Sequence, residues 1–215
     1  KPNHLDVLMS AAPRELVDSY TRVFLAVGLK PISFESESMA LARCLIKGGV
    51  SEKPVLIVDL GQTETSFIIH AGYSTRFTST IKISGDVITE NISRGLKIDI
   101  KKAENLKKKV GFSGDNKDVF EAIVPVMTDL KQQIVKYLDF YVSHESHIHD
   151  GKIGISKILL SAGGANLKGL VEYLAASLKI PVEIADPFAN IVKPKLTKSQ
   201  DPGFIRYATA LGLAL

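Results

Sequence analysis

Four stretches of this 215-residue chain combine residue types that could do chemistry. The first is Val58-Asp59-Leu60-Gly61-Gln62-Thr63-Glu64-Thr65-Ser66. An Asp ending an apolar run, then a Gly, then hydroxyl residues, makes a tight turn. Gly61 could bring its backbone amide against a phosphate, and Thr63 or Thr65 could add a hydroxyl. Asp59 would then stand near a phosphate-bound Mg²⁺, through water, because Mg²⁺ gives up its waters reluctantly. The same residues also suit a plain hairpin with an Asx-type turn. The second stretch is Ile158-Leu159-Leu160-Ser161-Ala162-Gly163-Gly164-Ala165-Asn166-Leu167-Lys168-Gly169-Leu170. A strand that runs into two glycines and a helix lets a flat ring or a phosphate lie against backbone. It has neither P-loop spacing nor the dinucleotide fingerprint. The alternative is a strand-to-helix turn with Asn166 as N-cap.

The third stretch holds Glu104 and Lys107, three residues apart and so on one helix face. They could hold a ribose diol, or make a surface ion pair. The fourth, His144-Glu145-Ser146-His147-Ile148-His149-Asp150, invites a metal reading. Its spacing fails the His-x-His-x-Asp pattern, since residue 151 is Gly, and no His-Glu-x-x-His is present. A polar helix end and loop suits it better. No Gly-x-Ser-x-Gly elbow occurs, and Cys44 lies in an apolar helix, so nucleophilic hydrolysis finds little support.

These groups need elements to place them. Residues 5–11 suggest a buried strand, and Pro13 opens a helix that carries Leu16, Val17, Tyr20, Val23, Phe24 and Val27 on one face up to Gly28. A short strand over 31–34 and a buried helix over 39–46 complete a β-α-β-α opening. Strands at 55–59, 65–70 and 76–83 make an antiparallel meander. Helices follow at 85–96 and 100–110, then a long one at about 118–143 with Pro125 as a risk of interruption. A strand at 158–161, a helix at 167–178, a strand at 182–184, a polar loop at 193–203 and a helix at 204–215 close the chain.

Composition bounds the classes. The chain has 27 Lys and Arg against 23 Asp and Glu, a net charge of +4, and 45% apolar residues. That is a folded chain of one or two domains, neither disordered nor membrane-spanning. One cysteine excludes a disulfide scaffold. Lysines cluster at 101–109 and 193–198 without aromatics between them, so a solvated helix face and a loop explain them as well as nucleic acid does.

The order of the first three stretches resembles the actin-like ATPase superfamily, a ribonuclease H-like α/β fold. Within it the chain looks most like the PilM family of type IV pilus assembly, with the FtsA cell-division family close by. Residues 55–66 resemble the second phosphate loop. Ser84-Gly85-Asp86-Val87-Ile88-Thr89 followed by Ala103-Glu104-x-x-Lys107 resembles the small nucleotide-flanking subdomain. Residues 158–170 resemble the adenosine motif, and Tyr207-Ala208-Thr209-Ala210-Leu211-Gly212-Leu213-Ala214 the second connecting helix. Glu37-Ser38-Met39-Ala40-Leu41-Ala42-Arg43 resembles the first connecting helix, and the residues before it the small subdomain of the first lobe.

The resemblance implies a partial first lobe at 1–52 and a second lobe at 53–215, with a small subdomain inserted at about 84–150. The family opens on an Asp-x-Gly phosphate loop, absent from the first 50 residues. The expectation is therefore a fragment of a longer chain, without half of its phosphate clamp. The ligands implied are ATP and Mg²⁺. Asp59, Gly61 and Thr63 would face phosphates and metal, and Glu104 and Lys107 the ribose. Gly163, Gly164 and Leu167 would pack by the adenine. Glu37 is a weak candidate for a water-orienting acid, with Glu35 competing. The implied role is a cytoplasmic scaffold that recruits the cytoplasmic tail of a PilN-like inner-membrane protein. It would reach the membrane through partners, bind no nucleic acid, have scope for self-association and be at most a weak ATPase. Alternatives are an FtsA-like division protein, an ATPase or small-molecule kinase of the same superfamily, and a module that binds no nucleotide.

Overall fold

The computed structural model describes residues 7–148, 154–191 and 202–215. Leu5, Asp6, the side chains of residues 144–150 and most of the loop expected at 193–203 lie outside them. The fold is built on β1 (Ser51–Leu60), whose residues 54–60 are all buried. A strand buried on both faces needs apolar residues in succession, as Val55 to Val58 supply. Antiparallel β2 (Thr65–Gly72) and β3 (Ser74–Ile81) pair on one side of it. Parallel β4 (Lys157–Ser161) and β5 (Val182–Ile184) pair on the other, giving the order β3-β2-β1-β4-β5. The helices are α1 (Arg14–Ala26), α2 (Glu37–Leu45), α3 (Gly85–Leu96), α4 (Ile100–Lys109), α5 (Lys117–Ile148), α6 (Leu170–Leu178) and α7 (Ala208–Leu213).

Strand alternation sorts the core onto two faces. Leu56, Val58 and Leu60 join Ile88 and Ile92 of α3, Ile123 and Met127 of α5, and Leu170 and Leu174 of α6. Val55 and Ile57 join Ile68, Leu159, Leu41 and Leu45 of α2, and Ala208 of α7. Asp59 continues the second series, so it emerges on the α2–α7 side at the carboxyl end of the central strand. Truncating a fully buried residue such as Ile57 to Ala should cost about 2–5 kcal/mol.

Local signals explain the helices that flank this sheet. Ser84 caps α3, its hydroxyl accepting from the Val87 amide at 3.3 Å. Asp99 caps α4 in the same way through the Lys102 amide at 2.9 Å. The long helix α5 runs on through Pro125 without a break.

Four expectations are corrected. Residues 7–13 form no strand, and Val7, Leu8 and Met9 stand exposed. Residues 31–34 form none either, with Ile32 fully exposed. A strand needs a ladder partner, and among the described residues none lies beside these segments. The helix α1 forms between Pro13 and the left-handed Gly28, yet it buries no residue. After β4 the chain makes a 3-10 turn (Gly163–Asn166), and α6 starts only at Leu170, so Asn166 caps no α-helix. Its place before α6 is taken by Gly169 at φ +79°, packed against the Phe112 carbonyl.

Candidate functional site

A cleft of about 1480 Å³ opens at the carboxyl ends of the parallel strands β1 and β4. Ligands of open α/β sheets bind at such strand ends. Its floor is Asp59, Gly61 and the turn from Ala162 to Leu167. One wall is Gly85, Thr89, Glu104 and Lys107 of α3 and α4, and the other is Glu37 of α2 with Arg206 and Thr209.

Asp59 is nearly buried, and burial pushes its carboxyl up to about 6. The neighbouring Ser161 hydroxyl, its register partner on β4, pulls the other way, and the Glu37 charge adds to the rise. An acid held on this edge releases its proton readily when a cation or donor arrives. Gly61 makes the turn that follows. A Cβ there would stand 2.8 Å from the Glu64 carbonyl, and its amide donates to that carbonyl at 3.0 Å. Its amide is thus already bonded within the hairpin. The Gly61 and Gln62 carbonyls accept the Gly85 and Asp86 amides, each at 2.9 Å, which fixes the start of α3 over the turn.

Glu104 and Lys107 meet at 2.6 Å as a partly buried pair. The Lys107 ammonium also donates to the Thr89 hydroxyl at 2.8 Å and the Gly85 carbonyl at 2.9 Å, so all three of its hydrogens have acceptors. Thr89 donates to the Glu104 carboxylate at 2.6 Å, and Lys108 reaches its other oxygen at 3.1 Å. Burial alone would raise the Glu104 carboxyl, but the bonds from Lys107, Thr89 and Lys108 prevail and hold it near 2. Lys107 therefore acts as a strut between α3 and α4, while Glu104 keeps lone pairs toward the cleft.

The two glycines after β4 differ. A Cβ on Gly164 would strike Leu60 at 2.3 Å, whereas one on Gly163 meets nothing within 4 Å. Gly164 allows the turn to lie on β1, and Gly163 leaves open space. Ala162 before them sits at φ +62°, ψ −173°, a region that is nearly glycine-only. Strain of this kind gathers at ligand sites.

Asp59, Gly61, Glu104, Lys107, Gly163, Gly164 and Leu167 thus share one cleft, and Glu37 faces it. Thr63 is exposed on the turn, outside that lining, and Thr65 spends its hydroxyl on the Ile83 carbonyl at 2.6 Å. Glu35 is bound bidentately by Arg43, away from the cleft. Cys44 is buried and its thiol pushed up to about 11, chiefly by burial. Thr89 and Thr209 carried no role in the sequence. Thr89 stands four residues after Gly85, a back-bonding distance, but its contact with Glu104 needs the fold.

The fold is that of the actin-like proteins. MreB5 of Spiroplasma citri bound to ADP superposes with a TM-score of 0.71 at 15% identity, over 95% of this chain and 65% of that one. The profile of the type IV pilus assembly protein PilM matches residues 1–215, and the chain belongs to that family. A solved PilM–PilN type IV pilus biogenesis complex matches with a TM-score of 0.73 at 26% identity, over 94% of this chain and 57% of that one. The cell-division protein FtsA of Buchnera aphidicola subsp. Baizongia pistaciae (strain Bp) is 23% identical over 183 residues, 74% of this chain and 43% of FtsA. The chain spans about half the length of these pilus and division relatives.

Proposed function

We propose that this chain supplies the nucleotide-binding part of a type IV pilus assembly scaffold. The observation that supports it is the cleft itself: an Asp at a strand end, an open glycine on the adjacent turn, and a Glu fixed by its own strut. Residues 53–215 correspond to a second lobe with an insertion at about 84–150, and residues 1–52 to part of a first lobe.

ATP suits this cleft in size and chemistry. Its ring end fits the Gly163–Leu167 turn, where no Cβ intrudes at Gly163, and the Glu104 carboxylate suits a ribose hydroxyl. Mg²⁺ also fits, because Asp59 and Glu37 are hard oxygen donors that line one cleft, and Mg²⁺ takes one or two carboxylates beside phosphates and waters. When bound it would neutralise phosphate charge beside two carboxylates. Asp59, largely ionised above about pH 6, would hold the metal through water, while Thr89 and Lys107 hold Glu104 still. Glu37 is the stronger candidate for a water-orienting acid, since Glu35 is consumed by Arg43. Any hydrolysis would be weak at most.

The role we assign is recruitment: nucleotide favours one arrangement of the lobes, and that arrangement receives the cytoplasmic tail of a PilN-like inner-membrane protein. Among the described residues no helix is long and apolar enough to cross a membrane, which suits attachment through a partner. Calorimetry with Mg–ATP and with a PilN-type tail peptide, on the protein at its natural full length, tests this. Binding of both is expected; binding of neither refutes it. The FtsA relative favours a second reading as a division protein, which binding to a division partner in place of the tail peptide would select.

A further inference from the structure

The helices α2 and α7 meet along a seam with three steps. Glu37, Ala40 and Arg43, spaced three apart, form one ridge of α2, and Thr209 and Gly212 form the facing ridge of α7. At the middle step the backbones almost touch: a Cβ on Gly212 would lie 1.9 Å from the Ala40 carbonyl. At the far step Arg43 donates to the Gly212 carbonyl at 2.9 Å while it grips Glu35. At the cleft end Thr209 donates its hydroxyl to Glu37 Oε1 at 3.0 Å. Two tight steps leave the third no freedom to slide, so the hydroxyl is delivered to Glu37 by the backbone packing behind it.

Glu37 and Thr209 both line the cleft. Glu37 is exposed, and a free glutamate there would wander among rotamers. We propose that Thr209 is a positioning residue, whose hydroxyl holds the Glu37 carboxylate toward the cleft as the second acidic group for the Mg²⁺ of a bound nucleotide. This rests on the nucleotide reading above. Thr209 acts through Glu37. Around it, Glu35 is held by Arg43, and Arg206 donates its Nε to the Gly203 carbonyl at 2.8 Å.

The test compares Thr209→Val, which keeps shape and loses the hydroxyl, with Thr209→Ser, which keeps the hydroxyl. A fluorescent ADP analogue is titrated into the full-length protein with Mg²⁺ and with EDTA. In Thr209→Val the Mg²⁺-dependent gain in affinity should fall about three- to tenfold, the range of one lost hydrogen bond. Its affinity in EDTA and its melting temperature should stay as in the wild type, and Thr209→Ser should keep the full gain. Glu37→Gln should lose the same gain, and adding Thr209→Val to it should cost nothing further. An unchanged gain in Thr209→Val, an equal loss in EDTA, a Ser variant that fails like Val, or additive losses overturns the proposal alone. No binding by the wild type overturns the nucleotide reading and this proposal with it.

Discussion

Replacing Asp59 by Asn should make the protein more stable, and only above a definite pH. Unfolded, an Asp carboxyl ionises near its ordinary 3.8; here burial holds it to about 6. Between those values the folded state binds the more protons, so stability falls as pH rises through the window and levels off above it. Two pH units correspond to about 3 kcal/mol, an upper figure for the cost of ionising Asp59 in the fold. Asn keeps the shape and never ionises. At pH 8 the Asn variant should gain about 1–3 kcal/mol, or roughly 3–10 °C in melting temperature for a chain of this size. At pH 4, the lower edge of the window, the two proteins should melt within a degree or two. Other carboxylates titrate in both proteins alike, so the difference between the melting curves isolates this one. Mg–ATP should raise the melting temperature of the wild type and leave that of the variant alone, since ligand stabilises only the state that binds it. A variant no more stable than wild type at pH 8, or equally advantaged at pH 4, would refute the reasoning. A stability gain with loss of binding would mark Asp59 as kept for function at a cost to the fold.

The cleft glycines separate binding from packing. Gly163→Val should abolish nucleotide binding in calorimetry with the melting temperature retained, while Gly164→Val should destabilise the fold by several kcal/mol through its clash with Leu60, about the cost of overpacking a core. Ala162→Gly should raise stability by about 1–3 kcal/mol in chemical denaturation, because glycine adopts that backbone without strain. Lys107→Met removes the strut from Glu104, Thr89 and the Gly85 carbonyl; it should weaken nucleotide binding about tenfold or more and speed amide hydrogen exchange at the start of α3. Asn190→Ala should cost about 2–3 kcal/mol in denaturant unfolding, since its amide caps the Arg43 and Ile46 carbonyls at the end of α2, each at 2.7 Å, and its oxygen takes the Gly48 amide at 2.8 Å.

Much of the chain beyond residue 50 was legible because its signals are local. The boundaries of α3 follow from Ser84 and from periodicity and those of β5 from a short apolar run, whereas in the meander β1 begins four residues before its expected start and β3 lies two residues earlier than expected. The strands expected at 5–11 and 31–34 misled because apolar character says that a face wants covering and not what covers it. Val23 and Phe24 keep helical spacing, yet α1 stands with both exposed. Residues 31–34 have strand-forming character and no strand to pair with among the described residues.

The site divides in the same way. Strand parity is a local rule, so Asp59 could be placed opposite the Leu56, Val58 and Leu60 series from sequence alone, and Gly163 and Gly164 could be placed on a turn. Which glycine is packed and which is open depends on Leu60, a hundred residues away in the chain. Glu104 and Lys107 could be paired at three-residue spacing, but spacing cannot tell an exposed pair from one whose lysine is saturated by Thr89 and the Gly85 carbonyl. The choice between Glu35 and Glu37 was open for the same reason. Two residues apart on the approach to and first turn of α2, they differ only in what the rest of the fold brings to them. Arg43, eight residues on from Glu35, closes one carboxylate off, and Thr209 turns the other into the cleft. A carboxylate becomes a candidate site residue here because its neighbour has been neutralised by the same seam that fixes it in place.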